Sequence, residues 1–171
     1  MKIPFVALDH VVLRTADVAR LRHFYIDVLG CTLEKVQADI GLVQLRAGDS
    51  LIDLVDVAGT IGRQGGAAPG PEGRNLDHFC LRVAPFDDEA IRQGLASHGV
   101  TLGEVVQRYG AQGEGPSCYL NDPDGNTVEL KGPPRRLPDR LDARVSQPAR
   151  LSDLTDPPIA RASRVEIAGN R

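Results

Sequence analysis

Apolar and polar residues alternate over LDHVVL at residues 8–13 and again over LDHFCLRV at 76–83, the pattern of two half-buried strands. Alternation puts His10 on a face with Leu8 and Val12, and His78 on a face with Cys80. Val11 and Leu13 in the first strand, and Phe79, Leu81 and Val83 in the second, lie opposite and are expected to pack on helices. The tripeptide Leu-Asp-His opens both strands, offset by 76 − 8 = 68 residues, so the chain reads as two similar halves.

The pattern after each strand repeats as well. Val18, Leu21, Tyr25 and Val28 line one helical face behind the candidate caps Thr15 and Asp17, and Gly30 supplies a stop. Short strand-like runs follow: CTLEKV, IGLVQLRAG and SLIDLVDVA. In the second half Asp87 and Asp88 can cap a helix through Ile91 and Leu95, with Gly99 as its end, before VTLGEVVQR, PSCYLND and NTVELKG. DPDGN at 122–126 predicts a tight hairpin turn. The fold class is therefore α+β, built from two βαβββ modules at residues 1–58 and 76–132. A Gly/Pro-rich linker spans 59–75, and an Arg/Pro-rich extension without aromatic residues spans 133–171.

Composition narrows the function classes. With 171 residues, a net charge of −3 and no Trp, the chain has neither the basic surface nor the stacking residues of a nucleic-acid binder. No run approaches the roughly 20 apolar residues of a membrane span, and MKIPFVALDH reads as a lead into a strand rather than a signal peptide. Cys31, Cys80 and Cys118 show no CxxC spacing, so a disulfide framework is not expected and a reduced cytoplasmic setting is. Cys80 is expected as a small buried hydrophobe, and His23 and His98 as structural or solvated residues.

Two acids sit between apolar strand residues, Asp53 in Ile52-Asp53-Leu54 and Glu129 in Val128-Glu129-Leu130. An unpaired carboxylate buried there costs several kcal/mol unless a cation or hydrogen bonds compensate. Each half thus offers one histidine from its first strand and one carboxylate from its last. His10, Asp53, His78 and Glu129 suit a divalent ion with open positions for water or substrate; Zn, Ni, Mn, Co and Fe(II) all accept such donors.

The segments LDHVVLRTADVARLRHFYIDVLGC, LDHFCLRV and YLNDPDGNTVELKG resemble the vicinal oxygen chelate superfamily, which includes glyoxalase I, fosfomycin-resistance thiol transferases, extradiol dioxygenases and bleomycin-binding proteins. This resemblance implies two βαβββ modules forming a cupped sheet, with His10, His78 and Glu129 at metal positions. Asp53 falls where glyoxalase I has a Glu, and its side chain reaches about 1.5 Å less far. The segment RYGAQGEGPSCYL resembles a loop of glyoxalase-like and fosfomycin-resistance-like proteins, which makes Arg108, Tyr109, Gln112 and Ser117 candidate substrate-binding residues.

By the same resemblance the expected activity is a glyoxalase-like lyase or isomerase reaction on a small substrate with neighbouring oxygens. Glu129 or Asp53 would move the proton. The alternatives are fosfomycin-type thiol transfer, an Fe(II) dioxygenase, or a metal-free ligand-sequestering protein. A homodimer is expected, because open module edges need pairing.

Overall fold

The structure, a computed structural model, describes residues 4–70, 72 and 76–134. From residue 135 on, the Arg/Pro-rich extension lies outside the described residues, as do positions 71 and 73–75 of the linker.

In the first half, β1 (His10–Thr15) leads into α1 (Val18–His23), and β2 (Thr32–Gln37), β3 (Leu42–Ala47) and β4 (Ser50–Asp56) follow. The second half repeats the order with β5 (His78–Arg82), α2 (Asp88–Ser97), β6 (Val106–Gly110), β7 (Gly113–Asn121) and β8 (Thr127–Lys131). They form two four-stranded sheets of matching order, β1-β4-β3-β2 and β5-β8-β7-β6. Each sheet is mixed: β1 runs parallel to β4 and β5 parallel to β8, while the remaining pairs are antiparallel. The α+β fold in two βαβββ modules is thus present.

Asp17 caps α1 by accepting from the Arg20 amide at 2.9 Å, and Asp87 caps α2 by accepting from Ala90 at 3.1 Å. The first helix departs from simple periodicity. From Phe24 to Val28 it widens into a π turn, in which the Leu29 amide reaches back to the Phe24 carbonyl at 3.1 Å. The wider turn brings Phe24 inward beside Tyr25, and the two rings meet edge-on at 5.4 Å. Gly30, at φ 78°, then ends the segment in a conformation that a side chain would oppose.

Leu21, Tyr25, Leu45, Leu54 and Val128 are fully enclosed in a core to which both halves contribute. Each such side chain contributes about 1.5–3 kcal/mol on burial. Val11, Phe79, Leu81 and Val83 pack against this core, as strand alternation requires. One polar anchor ties the halves together: the Tyr25 hydroxyl donates to buried Asp122 at 2.9 Å. Asp122 also accepts from the amides of Asp124 and Asn126, at 2.9 and 2.8 Å. It therefore fixes the hairpin turn that sets β8, and with it Glu129, in register.

Three sequence expectations change in detail. Residues 100–105 are not strand, and β6 begins only at Val106. Leu8 and Asp9 precede β1 rather than joining its ladder. Cys80 is exposed rather than buried, because it lies on the strand face that turns away from the core.

Candidate functional site

The two sheets present their histidines and acids in one geometry. Val12 is the register partner of Asp53, and Cys80 that of Glu129, so each acid sits opposite the residue two beyond the histidine. Histidine and acid consequently share a face as diagonal neighbours on parallel strands. On the other side of each acid stands an antiparallel partner, Gln44 for Asp53 and Tyr119 for Glu129.

In the second half the pair is closed. His78 Nε2 stands 3.1 Å from Glu129 Oε2, and His78 Nδ1 is 2.7 Å from Asp77 Oδ2. The other oxygen of Glu129 accepts from the buried Ser117 hydroxyl. Tyr119 meets the His78 ring edge-on at 5.5 Å. Glu129 is only 6% exposed, so these contacts replace the solvation it has lost.

The first half is arranged differently. His10 Nδ1 lies 2.7 Å from Asp9 Oδ1, the counterpart of the Asp77 contact. That hydrogen bond is the main cause raising the His10 pKa above its ordinary value; slight burial opposes it, and the Asp53 and Asp9 charges add to it. Asp53, 5% exposed, has both oxygens engaged by the Gln44 amide, at 3.2 and 3.0 Å. Its carboxylate is thus satisfied without a cation.

Among the described residues, no group of three or more His, Cys, Asp and Glu side chains stands close enough to hold a metal ion. Each half of the chain provides a histidine and an acid, and within one chain the two sets do not converge.

A cavity of about 580 Å³ opens beside Glu129, lined among others by Leu8, Cys80, Arg82, Tyr109, Gln112 and Lys131. A second cavity, of about 350 Å³, runs between the helices and contains none of the four candidate donors.

A model of the Glyoxalase/Bleomycin resistance protein/Dioxygenase superfamily matches residues 7–130. The chain belongs to that superfamily. Glutathione transferase FosA of Serratia marcescens is 32% identical over 125 residues, which is 72% of this chain and 79% of that protein. Among solved structures, an integron cassette protein from the mobile metagenome of V. cholerae is 29% identical, with a TM-score of 0.59 over 77% of this chain and 98% of its own. A lactoylglutathione lyase from Agrobacterium tumefaciens shares the fold at 22% identity, with a TM-score of 0.54 over 76% of this chain and 96% of its own.

For a member of this superfamily, the residues read from sequence are distributed unevenly. His78 and Glu129 are brought together; His10 and Asp53 share the other sheet. Tyr109 and Gln112 line the cavity beside Glu129. Ser117 is fully buried and holds Glu129. Arg108 is exposed, donates to the Gln107 carbonyl at 3.3 Å and does not line that cavity. Residues that pattern reading missed are Asp9, Asp77, Gln44 and Tyr119. The first two were visible in the repeated tripeptide; the last two follow only from cross-strand register.

Cys80 is a poor nucleophile here. Its thiol is pushed up to about 11, first by burial of the sulfur and then by the neighbouring Glu129 carboxylate.

Proposed function

We propose that the protein is a metal-dependent enzyme that binds a small oxygenated substrate at a divalent ion held by His10, His78 and Glu129. The observation that carries this reading is the His78 Nε2 to Glu129 Oε2 pair at 3.1 Å, with the remaining polar atoms of both side chains engaged by Asp77 and Ser117. A ring whose Nδ1 is committed presents Nε2 as its donor, and a carboxylate anchored through one oxygen presents the other. His10, fixed by Asp9, has the same form. This donor set fits Zn, Ni, Mn, Co or Fe(II).

The two modules, residues 1–58 and 76–132, each bring part of the set, and a second copy of the chain supplies His10 to His78 and Glu129. Supporting this homodimer, β1 and β5 are edge strands, and Leu8, Val12, Leu33 and Val36 are exposed. The unpaired Cys31, Cys80 and Cys118 suit a reduced, cytoplasmic setting.

The bound ion would supply Lewis-acid stabilisation of an ionised substrate oxygen. Asp77, Asp9 and Ser117 orient the donors, and Tyr109 and Gln112 face the substrate across the cavity. Because Gln44 holds both oxygens of Asp53, we take the donors as two histidines and one carboxylate, for a summed charge of +1 with a divalent ion. That charge favours an anionic substrate. Together with the 32% identity to a glutathione transferase, it supports thiol addition to a small anionic electrophile as the reaction class. The second reading is glyoxalase-type proton transfer with Asp53 as the base, favoured by its register equivalence to Glu129.

Mixing chains tests the shared site. His10→Ala and His78→Ala chains should each bind no metal alone, and a mixture allowed to exchange subunits should recover it, since one site of each mixed dimer is intact. Failure of the mixture to recover metal would reject the two-chain site. Consumption of glutathione with fosfomycin, compared with turnover of a hemithioacetal by wild type and Asp53→Ala, separates the two reactions.

A further inference from the structure

Arg14 and Arg82 occupy the same place in the two halves. Each lies four residues past its histidine on the strand face that carries it, His10 on β1 and His78 on β5. Arg14 is saturated. Its Nη1 donates to the carbonyls of Gly65 and Ala67 at 2.9 and 3.0 Å, and its Nη2 to those of Gly62 and Gly66, both at 2.8 Å. The segment after β4 is thereby clasped to β1.

Arg82 has no such segment. Among the described residues no hydrogen bond or ion pair engages its guanidinium, and it is exposed. Yet it lines the same 580 Å³ cavity as Glu129, Tyr109 and Gln112.

The surroundings of Arg82 favour an anion. Its register partner on β8 is Lys131, so two cations stand side by side on one face. Lys131 is buried, and its ammonium is directed to the carbonyls of Arg108 and Gly115, the latter at 3.4 Å. Its hydrogens are therefore committed while its charge is not neutralised. Of the acids lining the cavity, Glu129 is held by Ser117 and His78, and exposed Asp49 forms no ion pair with Arg82. The guanidinium fork of Arg82 is left as the open donor in a positive corner of the cavity, and such a fork matches a carboxylate, phosphonate or phosphate through two parallel hydrogen bonds.

We propose that Arg82 anchors an oxyanion of the substrate, which makes the ligand a small organic acid. Arg82 lies two residues along β5 from Cys80, the partner of Glu129, a distance of about 7 Å along the strand. The oxyanion is therefore a group distinct from the oxygens presented to Glu129 and His78, separated from them by a few bonds. This assignment of substrate class rests on the proposed site at His78 and Glu129, whereas binding of the oxyanion itself does not need the metal.

The test uses the full chain, freed of metal with chelator, titrated calorimetrically with benzoate, phenylphosphonate and neutral benzamide. Both acids should bind more tightly than benzamide, and Arg82→Gln should weaken them by about tenfold or more while leaving benzamide unchanged. Arg82→Lys should fall between, having charge without the fork. Because Arg82 is exposed, these variants leave the core intact. Equal binding of the acids to wild type and Arg82→Gln, or binding no tighter than that of benzamide, would overturn the proposal. Metal content of Arg82→Gln, measured in parallel, separates the two readings. Acids held by Arg82 in a chain that takes up no metal would support the anion site and remove the metal.

Discussion

His78 and Glu129 meet across adjacent parallel strands at 3.1 Å, while their counterparts His10 and Asp53 are held by other partners, Asp9 and Gln44. The duplication thus keeps the position of each donor and changes its commitment. One half is poised around a shared point between nitrogen and oxygen; the other offers a histidine alone.

Ser117 is expected to act through Glu129. Ser117→Ala removes the hydroxyl that fixes one carboxylate oxygen and leaves that buried oxygen unsatisfied. Metal affinity should fall about 10–100-fold, as is usual when a residue supporting a metal ligand is lost. Thermal stability should fall by about 1–3 kcal/mol. Calorimetric metal titration and thermal unfolding read the two effects separately, and unchanged metal affinity would show that Ser117 does not position Glu129.

Tyr25→Phe removes the buried hydroxyl that donates to Asp122. The expected loss is about 1–3 kcal/mol, since Asp122 keeps its other partners but loses one buried donor. Denaturant unfolding measures it. A loss near zero would mean that the bond between the two halves contributes little to stability.

His10 should titrate above the ordinary histidine value in the folded chain, because protonated imidazole is favoured by Asp9 and by the charge on Asp53. A pKa raised on folding gives a stability contribution that is fully present below the unfolded value and is lost as pH rises through the folded one. His10 is exposed to solvent, so the effect on stability is small. Proton NMR titration of the ring should show the upward shift, and Asp9→Asn should lower it. A His10 pKa unmoved by Asp9→Asn would contradict the assignment.

At neutral pH the Cys80 thiol should react slowly with iodoacetamide, since its pKa is pushed up to about 11. Glu129→Gln removes one of the causes and should lower that pKa and speed alkylation. Burial, the larger cause, remains, so the thiol stays less reactive than a free cysteine. An alkylation rate in the wild type equal to that of a free thiol would refute this environment.

Much of this arrangement was legible in the sequence because it rests on period-two alternation and on side chains with strong local preferences. The repeated Leu-Asp-His marked both first strands, Asp17 and Asp87 marked helix starts, and DPDGN marked the turn whose Asp122 sets β8. The π turn at Phe24–Val28 was not legible, because it arises from packing two aromatic rings inward rather than from any local preference. The roles of Gln44 and Tyr119 also escaped, since which residue lies opposite Asp53 or Glu129 depends on strand register. Exposure of Cys80 followed from the same alternation that placed His78, although cysteine's general preference for burial pointed the other way.

The most direct test of the central claim is the content of divalent metal in purified, metal-loaded chains. Wild type should retain a stoichiometric ion, and His10→Ala, His78→Ala and Glu129→Gln should each lose it while remaining folded. Wild type that retains no ion after loading, or a His10→Ala, His78→Ala double variant that retains it undiminished, would contradict the account.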